Sequence, residues 1–358
     1  MLREDFRMKR LFMLVVCCVV TCMIVTEVPS YALTGEVNSE CPYKELEDVV
    51  SLQQGGNLVI DGTTNPLFWE FADESQAYLQ IGDKYQSVLM NLRDKYNLKE
   101  FGKSSWQSYK DAFENTYDIF SDKLDDTSKV LDEFFGVCER SEYNEMARSI
   151  ARKSNYDVTE FIGYLSYTSP IFKKDRALIQ SKLNASTKST MIKSMNVKVY
   201  AASASTISKR TAYAKKYAAN HNRNYKYYNA DCTNFASQIL HAGGEPTNSS
   251  WKPYTRNWVN ANAFACYWYM KNGEKNGYSS FKSISGAVRA GDFIAVDFEN
   301  DIGTYDHVGY VVSQGPKTSA GYHDITIAQH THDYCEKVSS TKNGWEHKTG
   351  TFIRLRMN

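Results

Sequence analysis

Apolar residues recur at three- and four-residue steps along the first half of this chain. After Asn65, a residue that can cap, and Pro66, suited to the first helical position, Phe71, Tyr78, Ile81, Tyr85, Leu89, Leu92 and Tyr96 form one stripe, which predicts an amphipathic helix over 66–97. Tyr109, Phe113, Tyr117, Phe120 and Leu124 predict a second helix. Val130, Leu131, Phe134, Phe135 and Val137 predict a third, ended near Gly136 by "GVCERS". Further helical material covers roughly 142–153 and 157–165, up to Pro170. Together these segments predict an antiparallel bundle of about four or five helices. Its aromatic stripe reads as core, because apolar periodicity ordinarily marks a buried face.

From Leu183 to Ser208 the chain is rich in Ser, Thr, Ala and Lys and has no period, which predicts a linker or extended arm. The rhythm then changes. "RTAYAKKYAANHN" (210–222) reads as a short helix, and "CTNFASQILHA" as another that buries Phe235, Ile239 and Leu240 and stops at Gly243-Gly244. "DFIAVDF" (292–298), "HVGYVVS" (307–313) and "ITIAQHT" (325–331) read as strands separated by turn residues. A helix followed by antiparallel strands predicts an α+β fold. There is no internal repeat.

The opening residues form a separate pattern. A basic stretch, "MLREDFRMKR", precedes the apolar run "LFMLVVCCVVTCMIV", and "PSYA" follows with small residues at Ser30 and Ala32. This is the pattern of a secretory signal over 1–32, cut after Ala32, so the expectation is a secreted or cell-wall-associated protein. An uncleaved membrane anchor and lipidation at Cys17 or Cys22 are the alternatives. The expected organisation is a signal (1–32), a helical domain (33–182), a linker (183–208) and a second domain (209–358). No other stretch is long and apolar enough to cross a bilayer.

Composition narrows the partners. Of 42 basic and 41 acidic side chains, the first 32 residues hold four and three, so 38 of each remain. A neutral mature chain does not read as a nucleic-acid binder, which needs a concentrated cationic face. Five of the eight cysteines also remain: Cys41, Cys138, Cys232, Cys266 and Cys335. Exported thiols tend to pair, and an odd count leaves one over. The simplest partition pairs Cys41 with Cys138 and Cys266 with Cys335, leaving Cys232 free.

Cys232 stands at the first turn of its helix, where unpaired N–H groups and the helix dipole favour a thiolate. His307 opens the second strand, and Gly309 on the same face removes bulk beside it. His330 closes the third strand. With antiparallel pairing it is expected beside His307, holding that ring through its second nitrogen, while Gln329 faces the other way. His332 and Asp333 are alternatives for that role. A helix-start cysteine, a strand-start histidine and a polar orienting residue follow the logic of a cysteine acyl-transfer enzyme.

The blocks "YAKKYAANHNRNY", "DCTNFASQILHAGG", "GDF", "DHVGYVV" and "AQHTHD" resemble the putative amidase domain family of secreted, mostly Gram-positive bacterial proteins. That family is similar to the papain-like group that includes NlpC-type and CHAP peptidoglycan hydrolases. The likeness covers about residues 207–355. It implies a papain-like fold, with Cys232 as nucleophile, His307 as general base and His330 as the third polar residue. Family members often carry a longer acidic or glycine-bearing lead into the cysteine, where this chain has "YYNADC". The oxyanion donor candidates are therefore Asn224, Tyr225, Tyr227 and Tyr228, beside the backbone N–H of Cys232. Trp251 and Trp258 align with aromatic positions flanking the cleft, where a wall muropeptide is a plausible ligand, and core packing is the equal alternative. Asp231 is a candidate for binding a substrate amine, or for capping its helix.

A metal reading, His330 and His332 with Asp333 or His323, lacks the ligand count and spacing of known zinc motifs. No metal or cofactor is expected. The sequence thus reads as a cysteine-dependent amidase acting on peptidoglycan, with a secreted protease and a non-catalytic wall-binding module as the other readings. The amide cut, the role of the helical domain and the oligomeric state are not legible.

Overall fold

In the computed structural model, which describes residues 40–117, 125–188, 202–228, 230–272, 277–298 and 303–357, a short helical turn (Lys44–Glu47) and two small antiparallel strand pairs precede the longer helices. β1 (Leu52–Gln54) pairs with β4 (Trp69–Phe71), and β2 (Asn57–Ile60) with β3 (Thr63–Pro66). Asn65 and Pro66 therefore end a strand instead of starting a helix. The Asn65 amide accepts from the Ile171 N–H at 2.9 Å and donates to the Thr63 carbonyl at 2.8 Å. The helix starts later, where Asp73 accepts from the Gln76 N–H at 3.0 Å, and it is broken at Tyr85 into α1 (Glu74–Lys84) and α2 (Gln86–Tyr96).

α3 (Trp106–Thr116) follows, then α4 (Asp126–Ala151), capped by Asp125. α4 runs straight through Gly136, which was expected to end it. A mid-helix glycine costs about 1 kcal/mol, and the buried face continuing through Val137, Cys138, Tyr143, Ala147 and Ile150 outweighs that. Phe120 and Leu124 of the expected second helix lie outside the described residues, as does the 1–32 segment. The expected linker is helical at both described ends: α5 (Arg176–Lys188) extends into it and α6 (Ala204–Tyr217) begins within it. Among the described residues no helix is long and apolar enough to cross a membrane.

The second half is α+β. After α7 (Cys232–Ala242) and α8 (Ala261–Asn272), six antiparallel strands form one sheet in the order β5-β10-β6-β7-β8-β9. These are β5 (Gly277–Tyr278), β6 (Phe293–Asp297), β7 (His307–Lys317), β8 (His323–Gln329), β9 (Tyr334–Lys337) and β10 (Thr351–Leu355). Strand alternation divides the side chains between two cores. Phe293, Ala295, Val308, Tyr310 and Ala328 face α7 and α8, whereas Ile294, Val296, Val311, Ile327 and Phe352 face Phe281, Ile284 and Trp345 on the other side.

The halves are not separate cores. Phe161, Leu165, Phe172 and Ile179 of the first half are buried in the same cluster as Phe235, Trp258, Phe264 and Trp268. Gly163, at φ +81°, marks one close approach: a Cβ there would lie 2.8 Å from the Ala263 Cα of α8. A further core, around Tyr78, Ile81, Phe113, Leu131 and Phe134, belongs to the first half alone.

Candidate active site

α7 places Cys232 in its first turn, and β7 places His307 at its first position. Both side chains are buried, and both line one cavity of about 250 Å³. The sulfur lies 3.5 Å from the Thr233 hydroxyl and receives the N–H of Val308, the residue after His307.

The His307 ring is fixed from behind. Its Nε2 is 3.0 Å from Gln329 Oε1, and the same oxygen accepts from Trp345 Nε1 at 2.8 Å. Indole nitrogen only donates, so that atom of Gln329 is an oxygen and His307 Nε2 must carry the hydrogen. Gln329 Nε2 donates in turn to the Thr331 carbonyl at 3.0 Å. The imidazole is thereby held as the tautomer whose Nδ1 keeps its lone pair. Gly309 is part of this arrangement, because a Cβ there would sit 2.9 Å from both Trp345 and Ile327. The space it leaves is filled by the indole.

The residue that holds the His307 ring is therefore Gln329 and not His330. Tyr310 pairs with Ala328 and Val311 with Ile327, so up to the bulge that follows Val311 odd-numbered residues of the two strands share a face, and Gln329 continues the Ile325, Ile327 row. His330 lies on the opposite face, stacked on Phe235 with 3.8 Å between ring centres. Its Nδ1 is 2.6 Å from Asp231 Oδ2 and its Nε2 is 2.8 Å from the Tyr217 carbonyl, leaving no ring nitrogen for His307. Thr331 and His332 follow at φ +60° and +64°, a left-handed pair that a β-branched residue rarely adopts. Contacts at both ends hold it there: the Thr331 carbonyl takes Gln329, and its hydroxyl accepts the Asp231 N–H at 3.1 Å.

Several other expected residues have different places. Asp231 is buried and does not line the cavity. Its Oδ1 accepts from the Tyr228 N–H at 3.2 Å and from Asn234 Nδ2 at 2.8 Å, so it braces the loop and makes no side-chain cap on α7. Trp251 and Trp258 are wholly buried behind α7, donating to Ser237 Oγ at 3.2 Å and Asn234 Oδ1 at 2.8 Å. They are core, and Val259, Asn260 and Ala261 form that side of the cavity. Of the oxyanion candidates Tyr228 lines the cavity. Asn224 is exposed, Tyr225 packs on Trp258 and Tyr227 packs edge-on to His221. All five described cysteines are free thiols, so neither expected disulfide is formed. Cys138 meets the Tyr78 hydroxyl at 3.3 Å, while Cys266 donates to Asn262 Oδ1 at 3.4 Å.

Burial sets the charge state of the pair. It pushes the Cys232 thiol up to about 11, against the lowering by Thr233 and the Val308 N–H and with a further rise from Glu114 and Asp231. It pulls His307 down to about 3, although Gln329 opposes this. The expected helix-end thiolate is outweighed. Two units of thiol shift are worth about 3 kcal/mol, whereas a helix N-terminus supplies about 0.3–1 kcal/mol. The resting pair is a neutral thiol and a neutral imidazole.

The first half supplies the facing wall. Trp106, Asp111 and Glu114 from α3, with Glu139 and Arg140 from α4, line the same cavity. Glu139 accepts from Asn260 Nδ2 at 2.8 Å and from Lys110 at 2.6 Å, and Arg140 donates to Thr304 Oγ1 at 3.0 Å. Burial pushes Glu114 up to about 7 and Asp111 up to about 6, with Lys110 pulling both down.

The comparisons with known proteins fall on this same region. Residues 205–353 match the model of the putative amidase domain family. This segment is similar to that family. The chain is 39% identical over 143 residues to the uncharacterized protein YjcM of Bacillus subtilis, covering 37% of this chain and 33% of that protein. It is 34% identical over 110 residues to the uncharacterized protein YhbB of the same organism, covering 28% of this chain and 35% of that one. The chain thus spans about a third of the length of these curated relatives. No solved structure matches it. The match includes Cys232, His307 and Gln329 and leaves out α3 and α4, so the family covers one side of the cavity and not the other.

Proposed function

We propose that the protein is a cysteine-dependent amide hydrolase of papain-like design, exported, and directed at amide bonds of peptidoglycan. The observation that carries this reading is the shared cavity of Cys232 and His307, with His307 Nε2–H committed to Gln329. With both groups neutral at rest, His307 Nδ1 removes the thiol proton as sulfur attacks the amide carbon. The imidazolium so formed gives that proton to the departing amine. Water then adds to the thioester, losing its proton to His307, and the proton returns to sulfur as the acid leaves. The Cys232 N–H and Tyr228 are the oxyanion donors in this scheme. The related group of NlpC and CHAP hydrolases directs the substrate assignment to the wall, as does the export pattern of residues 1–32.

Purified wall and casein, digested side by side with the mature protein and with Cys232→Ala, test the reading. New amino termini from wall alone, abolished in the variant, are expected. Casein cleavage would make the protein a protease. Wall binding without turnover in either protein would make it a binding module.

A further inference from the structure

His221, His330 and Asp333 converge on Asp231, away from the cavity, and we infer that these four residues form a binding site for one divalent transition-metal ion. The ligand atoms of His221, His330 and Asp333 all lie within 4.8 Å of one another. Asp231 Oδ2 lies between the two imidazoles, 2.6 Å from His330 Nδ1 and 3.6 Å from His221 Nδ1, and His221 Nε2 is 2.8 Å from Asp333 Oδ2.

The tautomers favour the assignment. His330 Nε2 faces the Tyr217 carbonyl at 2.8 Å and must donate to it. This is the outer hydrogen bond that metal-binding histidines ordinarily make. Its Nδ1 then faces a carboxylate oxygen at 2.6 Å, two electron-rich atoms that one metal ion would join once they part to the spacing of neighbouring ligands. Two carboxylates balance a dication, and two imidazoles select zinc, cobalt, nickel or copper over magnesium and calcium. Ligand atoms bonded at about 2.0–2.1 Å to one tetrahedral ion stand about 3.3–3.4 Å apart, so the 2.6 and 2.8 Å contacts must open while the wider separations, up to 4.8 Å, close. His221 and Asp333, whose side chains are 33% and 35% exposed, have the freedom to close on a buried His330 and Asp231.

None of the four lines the catalytic cavity, so the ion takes no part in the chemistry proposed above. Its place is mechanical. It would tie the loop between α6 and α7 to the turn after β8, and Asp231 immediately precedes Cys232. Loading would stiffen the mount of the nucleophile. This set also differs from the sequence-level zinc candidates, since His323 lies at the far end of β8 with its Nδ1 on the Gly315 carbonyl at 3.2 Å.

Titration of the metal-free full chain with Co2+, followed by visible absorption and thermal unfolding, tests the site. The expected result is saturation at one equivalent with visible ligand-field bands and a raised midpoint. Both responses should weaken at least tenfold in affinity in His221→Ala and in Asp333→Asn, two partly exposed positions that leave the core intact. Absence of stoichiometric binding by the unaltered protein would overturn the inference. So would binding of equal strength in both variants.

Discussion

The reactivity of Cys232 separates two accounts of how its thiol is used. Lifting the thiol from its ordinary value of 9.0 to about 11 cuts the thiolate fraction at pH 8 from about one in ten to about one in a thousand. The more basic thiolate is the better nucleophile, and a Brønsted slope of about 0.45 over two units returns roughly eightfold. Iodoacetamide should therefore label native Cys232 about tenfold more slowly than the same cysteine in denatured protein. The rate should climb about tenfold per pH unit between about pH 7 and 10. Restricted access would lower the rate without altering that slope. His307→Ala should leave the slope unchanged, because a neutral imidazole holds no thiolate. Peptide-resolved mass spectrometry reads each cysteine separately. Rapid labelling that is flat from about pH 6 to 9, and slowed by His307→Ala, would refute the reasoning and restore a preformed ion pair.

Removing the ring's support by Gln329→Leu should lower kcat about 10- to 100-fold with little change in KM, measured by steady-state kinetics. Gln329→Glu should raise the His307 pKa from about 3 and bring an acid limb into the pH profile, since a carboxylate favours the imidazolium. Gly309→Ala, which drives a methyl to within 2.9 Å of Trp345, should cost about 1–3 kcal/mol in denaturant unfolding and reduce turnover as the indole leaves Gln329. Glu114 is held up to about 7, chiefly by burial. A folded value above the ordinary 4.5 contributes stability that is whole below 4.5 and lost as pH rises through 7. Glu114→Gln should therefore raise the unfolding free energy at pH 8, by up to about 3 kcal/mol, and leave it nearly unchanged at pH 4.5.

Much of the site's framework was legible because it rests on local rules. The helix from Cys232 to Gly243 shows its apolar face and its glycine stop, and the strand from His307 shows its alternation. The misplacement of His330 came from register. Nothing local told which residue of "IAQHTH" faces His307, although continuing the Ile325, Ile327 alternation leads to Gln329. Trp345 was invisible for the same reason, since it reaches Gln329 from beyond β9, sixteen residues away. Asp231, Trp251 and Trp258 stay open between two readings in the sequence because burial is a tertiary property: an aromatic suits a sugar face or a core equally well until its neighbours are known. The wall from α3 and α4 was beyond sequence reasoning altogether. Its residues fall in a helical stripe that ordinarily ends in its own core, yet Glu114 and Glu139 lie against the other half.

The most direct test of the central claim is to look for the acyl group on sulfur. The protein is mixed with an activated peptide ester or a wall muropeptide, quenched in acid within milliseconds to seconds, and read by intact and peptide mass spectrometry. A hydroxylamine-sensitive acyl adduct on Cys232, accumulating in Gln329→Leu and absent in Cys232→Ala, is the predicted result. Undiminished amide hydrolysis by Cys232→Ala, or an adduct on any other residue, would contradict the account.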